Sequence, residues 1–235
     1  RLLEDYATVL AQGNDLKQGL SGTLRIGYYA PIAPAFLPPI LADLVPKGTE
    51  VTLHLDECDN DSAQEGLLNG NYDAILFVSE GVRPSVEFDV LVEAPAYCLV
   101  PEGHAFASRS SVTMQQIAMH PLVVLNRPVA AKYYQSLFED YANDITIAAY
   151  ANSTEMVRSL VSAGQGCAVL NMQPLTQQSY CGETLAGVAI SDALPLLTLS
   201  VGYDKVRPGR LVQHFIDACR ALFEEAGPQQ CLVRR

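Results

Sequence analysis

Positive charge is scarce in this sequence: 15 Lys and Arg stand against 26 Asp and Glu, a formal net charge of −11 at pH 7. No Lys/Arg-rich run breaks that balance, so this segment on its own is not expected to bind DNA or RNA. Long apolar stretches are missing too. No window approaches 18 consecutive apolar residues and no basic-then-apolar leader opens the chain, so neither a membrane span nor a secretion signal is expected. The six cysteines (Cys58, Cys98, Cys167, Cys181, Cys219, Cys231) form no C-x-x-C pair and have no histidine at zinc spacing. That scatter predicts free thiols in a reducing cytoplasm, not a disulfide scaffold.

The familiar catalytic signatures are absent as well. There is no G-x-S-x-G elbow, no P-loop, no G-x-G-x-x-G after the first strand and no H-E-x-x-H. The four histidines (His54, His104, His120, His214) are scattered without a Ser or Cys partner, so none is singled out as a general base. No catalytic residue, metal ligand or cofactor is predicted. The acidic run Asp56-Glu57-Cys58-Asp59-Asn60-Asp61 lacks the glycine and terminal glutamate of a calcium loop. It reads as a strand-to-helix turn in which Asn60 or Asp61 caps the helix. Cys58, within that run, is the cysteine placed best for a sensor thiol.

What is present is a globular composition. The chain has 235 residues, 49% hydrophobic and 17% charged, enough for one large domain or two small ones. In the first twenty residues Leu2, Tyr6, Val9, Gly13, Leu16 and Leu20 follow an a/d spacing. Two readings stand: an amphipathic helix on its own domain, or the end of a coiled-coil linker. From Thr23 onward strands alternate with helices. Strands are predicted at 24–29, 50–55 and 74–78, with helices at 34–44 and 61–69 between them, a βαβαβ order that favours a parallel sheet. Two strands without a helix follow at 86–92 and 96–100. A second series has a short helix near Thr113, strands at 122–125, 145–150 and 167–170, and helices at 130–141 and 154–163. Gly164-Gln165-Gly166 reads as a helix stop leading into a strand. A strand at 196–203 precedes a last helix whose apolar face is Leu211, Phe215, Cys219, Leu222 and Phe223.

In open α/β sheets ligands sit at the carboxyl ends of strands, where helix N-termini aim N–H groups inward. Three such ends are recognisable: Tyr29 to Ile32, Leu125 to Arg127, and Asn152 to Thr154. Asn126, Asn152, Ser153 and Thr154 offer hydrogen bonds, and Arg127 offers a charge suited to a carboxylate. Helix capping is the competing role for Asn152 or Ser153.

Four segments in order, Gly22 to Gly27 (GTLRIG), Phe36 to Leu41 (FLPPIL), Leu67 to Ala74 (LLNGNYDA) and Leu160 to Leu170 (LVSAGQGCAVL), resemble landmarks of the effector-binding domain of LysR-type transcriptional regulators. The resemblance runs from about Gly22 to Glu225. It implies an α/β fold of two Rossmann-like subdomains joined by two crossover strands, the periplasmic-binding-protein type II-like arrangement, preceded by a linker-helix fragment. On this pattern residues 1–20 end the linker helix, 21–101 with 206–235 form the first subdomain, and 102–205 form the second. The family implies a small-molecule effector held between the subdomains, a homodimer or homotetramer, and DNA contact only through an N-terminal winged helix-turn-helix that this chain lacks. Carried over residue by residue, the effector site comprises Pro31, Asn60, Asn126, Arg127, Asn152, Ser153 and Thr154, and the strand-end reading adds Tyr29 and Ile32 as an apolar wall. Pro31 departs from the pattern, having neither hydroxyl nor N–H where a small hydroxyl residue is frequent. Asn171 stands where a proline commonly follows the leucine. The cysteines of the peroxide-sensing branch have no counterpart between Asn126 and Tyr141. The expected function is a cytoplasmic sensor of a small, anionic metabolite, not an enzyme. A solute-binding protein of a transport system, on the same two-lobe fold, is the alternative.

Overall fold

The computed structural model describes residues 21–29, 36–45, 50–205, 209–224 and 232–233. The heptad seam of residues 1–20, together with Pro31, Ile32, Pro34 and Cys231, lies outside the described residues. The described residues fall into two compact units, and the chain leaves the first after Leu91 and returns to it at Leu199.

The first unit is built on a mixed sheet. Strands β1 (Ser21–Tyr29), β2 (Glu50–Cys58), β3 (Ala74–Val78), β4 (Val86–Ala94) and β11 (Leu197–Asp204) lie in the order β2-β1-β3-β11-β4. β1 pairs in parallel with both β2 and β3, as the βαβαβ reading predicts. β11 runs antiparallel to β3, which periodicity does not reveal. The side chains of β3 (AILFV) are all buried, the mark of a strand covered on both faces. Helix α1 (Leu37–Leu44) begins with prolines in its first turn, where no intrahelical N–H is needed. It packs against α6 (Arg210–Glu224), and Phe36 meets Phe223 edge-on at 5.0 Å. Of the predicted α6 face, Phe215 and Cys219 are fully buried, together with Ile216. Arg25 on β1 clamps the entry to β3 by donating to both carboxylate oxygens of Asp73, at 2.8 and 3.1 Å.

Helix α2 (Asn60–Leu68) corrects the capping expectation. Asp59 is the cap, accepting from the backbone N–H groups of Asp61 and Ser62 at 3.0 and 2.9 Å. Asn60 is unavailable for that role because its amide is committed elsewhere. It accepts from Val78 N–H at 2.8 Å and donates to Val78 O at 2.9 Å.

The second unit carries β5 (Tyr97–Pro101), β6 (Ser111–Val112), β9 (Ala168–Leu170) and β10 (Leu185–Ile190) in the order β6-β10-β5-β9. β7 (Pro121–Leu125) and β8 (Thr146–Ala151) pair in parallel beside it. The join is a pair of backbone bonds, Val123 N–H to Cys167 O at 2.8 Å and Cys167 N–H to Pro121 O at 2.9 Å. Helices α3 (Met114–Ala118), α4 (Pro128–Leu137) and α5 (Thr154–Ser162) complete the unit, with a 3-10 turn at Glu139–Tyr141. The predicted helix at 130–141 is thus two pieces. α3 starts on a capping box in which Thr113 and Gln116 satisfy each other's backbone N–H. α5 stops as its glycines predict: Gly164 adopts φ +78° and Gln165 N–H returns to Leu160 O at 3.1 Å. β6 and β10 have no counterpart in the sequence reading. β6 has two residues, and Gly187 interrupts the apolar run of β10.

Candidate functional site

Each unit presents strand ends that open into helix N-termini. In the first, Tyr29 closes β1 and is buried, while Asn60 is buried and pinned to the end of β3. Cys58 is half-buried, and its thiol reaches Tyr28 O at 3.7 Å. Burial, then the nearby Glu57, pushes the Tyr28 phenol above its usual pKa, so it stays a neutral hydrogen-bonding group.

In the second unit the structure brings two of the predicted segments together. β7 and β8 are parallel and in register at their carboxyl ends, Leu125 beside Ala151. Asn126 N–H donates to Ala151 O at 2.7 Å, locking one turn to the other. Asn126-Arg127 therefore lies next to Asn152-Ser153-Thr154, and two helices begin there. Arg127 is the N-cap of α4 but makes no side-chain cap bond, and Pro128 takes the first helical position. Ser153 caps α5 by accepting from Met156 N–H at 3.4 Å, which fulfils the capping role weighed against binding. Asn126, Asn152 and Ser153 are exposed, Arg127 and Thr154 half-buried. The Thr154 hydroxyl is buried and has no hydrogen-bond partner among the described residues. Such a group is costly to leave dry, so it marks a place where a further acceptor or donor belongs.

The architecture and these landmarks match a known family over most of the chain. Residues 17–224 match the model of the LysR substrate binding domain. The chain belongs to that family. One curated relative is the HTH-type transcriptional regulator TtuA of Agrobacterium vitis, 25% identical over 174 residues, covering 72% of this chain and 57% of TtuA. The chain thus spans little more than half of that relative's length. Among solved structures, HinK, a LysR family transcriptional regulator from Pseudomonas aeruginosa, superposes with a TM-score of 0.79 at 24% identity, covering 94% of this chain and 77% of HinK. The BenM effector-binding domain, solved with its effector benzoate, gives a TM-score of 0.73 at 16% identity, covering 87% of this chain and 93% of that one.

In this LysR substrate-binding domain the structure also shows two polar centres that residue-by-residue reading misses. Asn171, buried on all sides, donates to Ala94 O and to the Tyr133 hydroxyl, both at 3.0 Å, and accepts from the Tyr134 hydroxyl at 3.0 Å. The Tyr133 hydroxyl in turn donates to Pro195 O at 2.8 Å. An asparagine where proline is usual is the one sequence signal for this hub. Arg158 is the second, a fully buried cation on α5. It pairs with Glu155 at 2.9 Å and donates to Thr176 O and Gln178 O at 3.1 and 2.7 Å, holding the segment before β10 onto the helix. Its signal is a glutamate three residues ahead on the same helix face.

The cysteines differ in setting: Cys181 is exposed and Cys58 half-buried, and the hydrogen bond with Cys98 lowers the pKa of the buried Cys167 thiol. The five described ones are all free. The Cys98 thiol, hydrogen-bonded to Cys167 and out of water, is raised well above its usual range, and burial pushes Cys219 up to about 12. Among the described residues no group of three or more His, Cys, Asp or Glu is arranged to hold a metal ion, and no helix is long and apolar enough to cross a membrane.

Proposed function

We propose that this domain senses a small anionic metabolite, a carboxylate, anchored at the paired turns Asn126-Arg127 and Asn152-Ser153-Thr154. The observation that carries the reading is the convergence of two helix N-termini on adjacent strand ends, one without a side-chain cap, beside an unpartnered threonine hydroxyl. Helix N-termini carry partial positive charge and favour an anion by about 0.3–2 kcal/mol. A charge-assisted bond from Arg127 adds about 1.5–3 kcal/mol. That benzoate is the effector in the BenM structure agrees with this chemistry. We further propose that the full-length protein is a transcriptional regulator, acting as a homodimer or homotetramer in the cytoplasm and reading DNA through a separate domain. The effector then shifts a conformational equilibrium by its differential affinity for two states, with no chemistry on the ligand.

The test is calorimetry with a panel of small carboxylates, benzoate first, on the parent chain, Thr154→Val and Arg127→Ala. Binding that weakens at least tenfold in either variant supports the site. Equal affinity in all three proteins, or hits confined to neutral compounds, overturns it.

A further inference from the structure

Beneath α4 the second unit leaves a cavity of about 620 Å³ whose walls include Leu122, Val124, Leu125, Tyr134, Phe138 and Ile147. Its origin is local. α4 packs on β7, while β8 lies beyond it as the outer strand and is shifted in register by an irregularity next to Leu122 and Val123. The helix cannot settle further onto the sheet. Its two tyrosines are bonded to Asn171, and Tyr133 also to Pro195 O, so those contacts fix its height. Most of the walls named are apolar. The Tyr134 hydroxyl is already spent on Asn171, which leaves little along that wall to bind water. The polar lining residues Asn126, Lys132, Gln135, Ser136 and Glu139 are all exposed, and their charges are of both signs, so the mouth does not select an anion. The volume falls within the range typical of small-molecule sites.

We infer that this cavity, which meets the carboxylate turns only at Asn126 and does not include Arg127, Ser153 or Thr154, is a second ligand site for a neutral and mainly apolar small molecule of aromatic or branched aliphatic character. Its wall residue Tyr134 is one hydrogen bond from Asn171, which holds Ala94 O at the end of β4. An occupant that moves the Tyr134 ring therefore acts on the strand by which the chain leaves the first unit.

Indole is the probe. The chain has no tryptophan, so indole emission reports only its own surroundings. Titration of the full chain should give a saturable, 1:1 blue shift, with nuclear Overhauser contacts from indole to the methyl groups of Leu122 and Ile147. Filling the space with Val124→Phe, or more gently with Ala131→Leu, should weaken indole at least tenfold while the far-UV circular dichroism is retained. Should either variant unfold, the Overhauser contacts in the parent decide the matter. Thr154→Val should leave indole affinity unchanged, which separates a failure here from a failure of the carboxylate site. A non-saturating shift, contacts to other methyl groups, or full affinity in a folded cavity-filled variant overturns the proposal. So does indole affinity that falls as protein concentration rises, since a second copy of the chain would then be the occupant.

Discussion

Replacing Asn171 with alanine strips three hydrogen bonds from a site that is 3% exposed. Two groups are then left buried without the partner shown here, the Ala94 carbonyl and the Tyr134 hydroxyl, whereas Tyr133 keeps Pro195 O. A buried polar group left unsatisfied costs about 1–3 kcal/mol, so the variant should lose about 3 kcal/mol after partial relaxation. Urea denaturation followed by circular dichroism measures the loss as a lower midpoint at constant slope. The sharper reading comes from a cycle with Tyr134→Phe. Removing the hydroxyl first leaves Asn171 less to lose, so the double variant should be more stable than the sum of the single losses predicts, by about 1 kcal/mol. A loss under about 1 kcal/mol in Asn171→Ala, or strict additivity in the cycle, would refute the hub.

Three further outcomes follow from the structure. Gly166→Ala should destabilise by about 2 kcal/mol or more in thermal or urea unfolding, since φ is +151° and a Cβ there would collide with the backbone carbonyl of Pro121. Arg158→Met should cost about 3 kcal/mol and speed proteolysis near the exposed Leu175 and Tyr180, because Glu155 and two carbonyls lose their donor. The third concerns pH. His104 sits in edge-on contact with His120 at 5.0 Å and Phe106 at 4.8 Å, and burial, then the charges of His120 and Arg109, lowers its pKa. The native state thus resists a proton that the unfolded chain accepts near pH 6.5. The melting temperature should therefore fall on acidification below about pH 6.5, and His104→Asn should flatten that slope.

Much of the architecture was legible because it rests on periodic burial. The all-apolar run of β3, the helix with Phe215 and Cys219 four apart, and the glycines that stop α5 each declare themselves within a few residues. The turns at Asn126-Arg127 and Asn152-Ser153-Thr154 were legible for the same reason, since a strand end followed by a helix start is a local pattern. Failures came where one partner lay far along the chain. Asn60 looked like a cap, yet its amide is bound by Val78, eighteen residues away, and the cap passed to Asp59. β10 went unread because its pairing with β5 bridges more than eighty residues and its apolar pattern is broken by Gly187.

The amino-acid order by itself therefore determined most of the strands and helices, β6 and β10 excepted, and the strand-to-helix turns between them, because hydrophobic period, proline and glycine act over one or two turns of chain. Only the tertiary structure decided that β11 runs against β3, that Asn126 is locked beside Ala151, that Asn171 gathers two tyrosines of α4 with the end of β4, and that a cavity remains beneath that helix. These depend on contacts between residues tens of positions apart, and they reflect how buried polar groups find partners across the fold, a constraint that no local window contains.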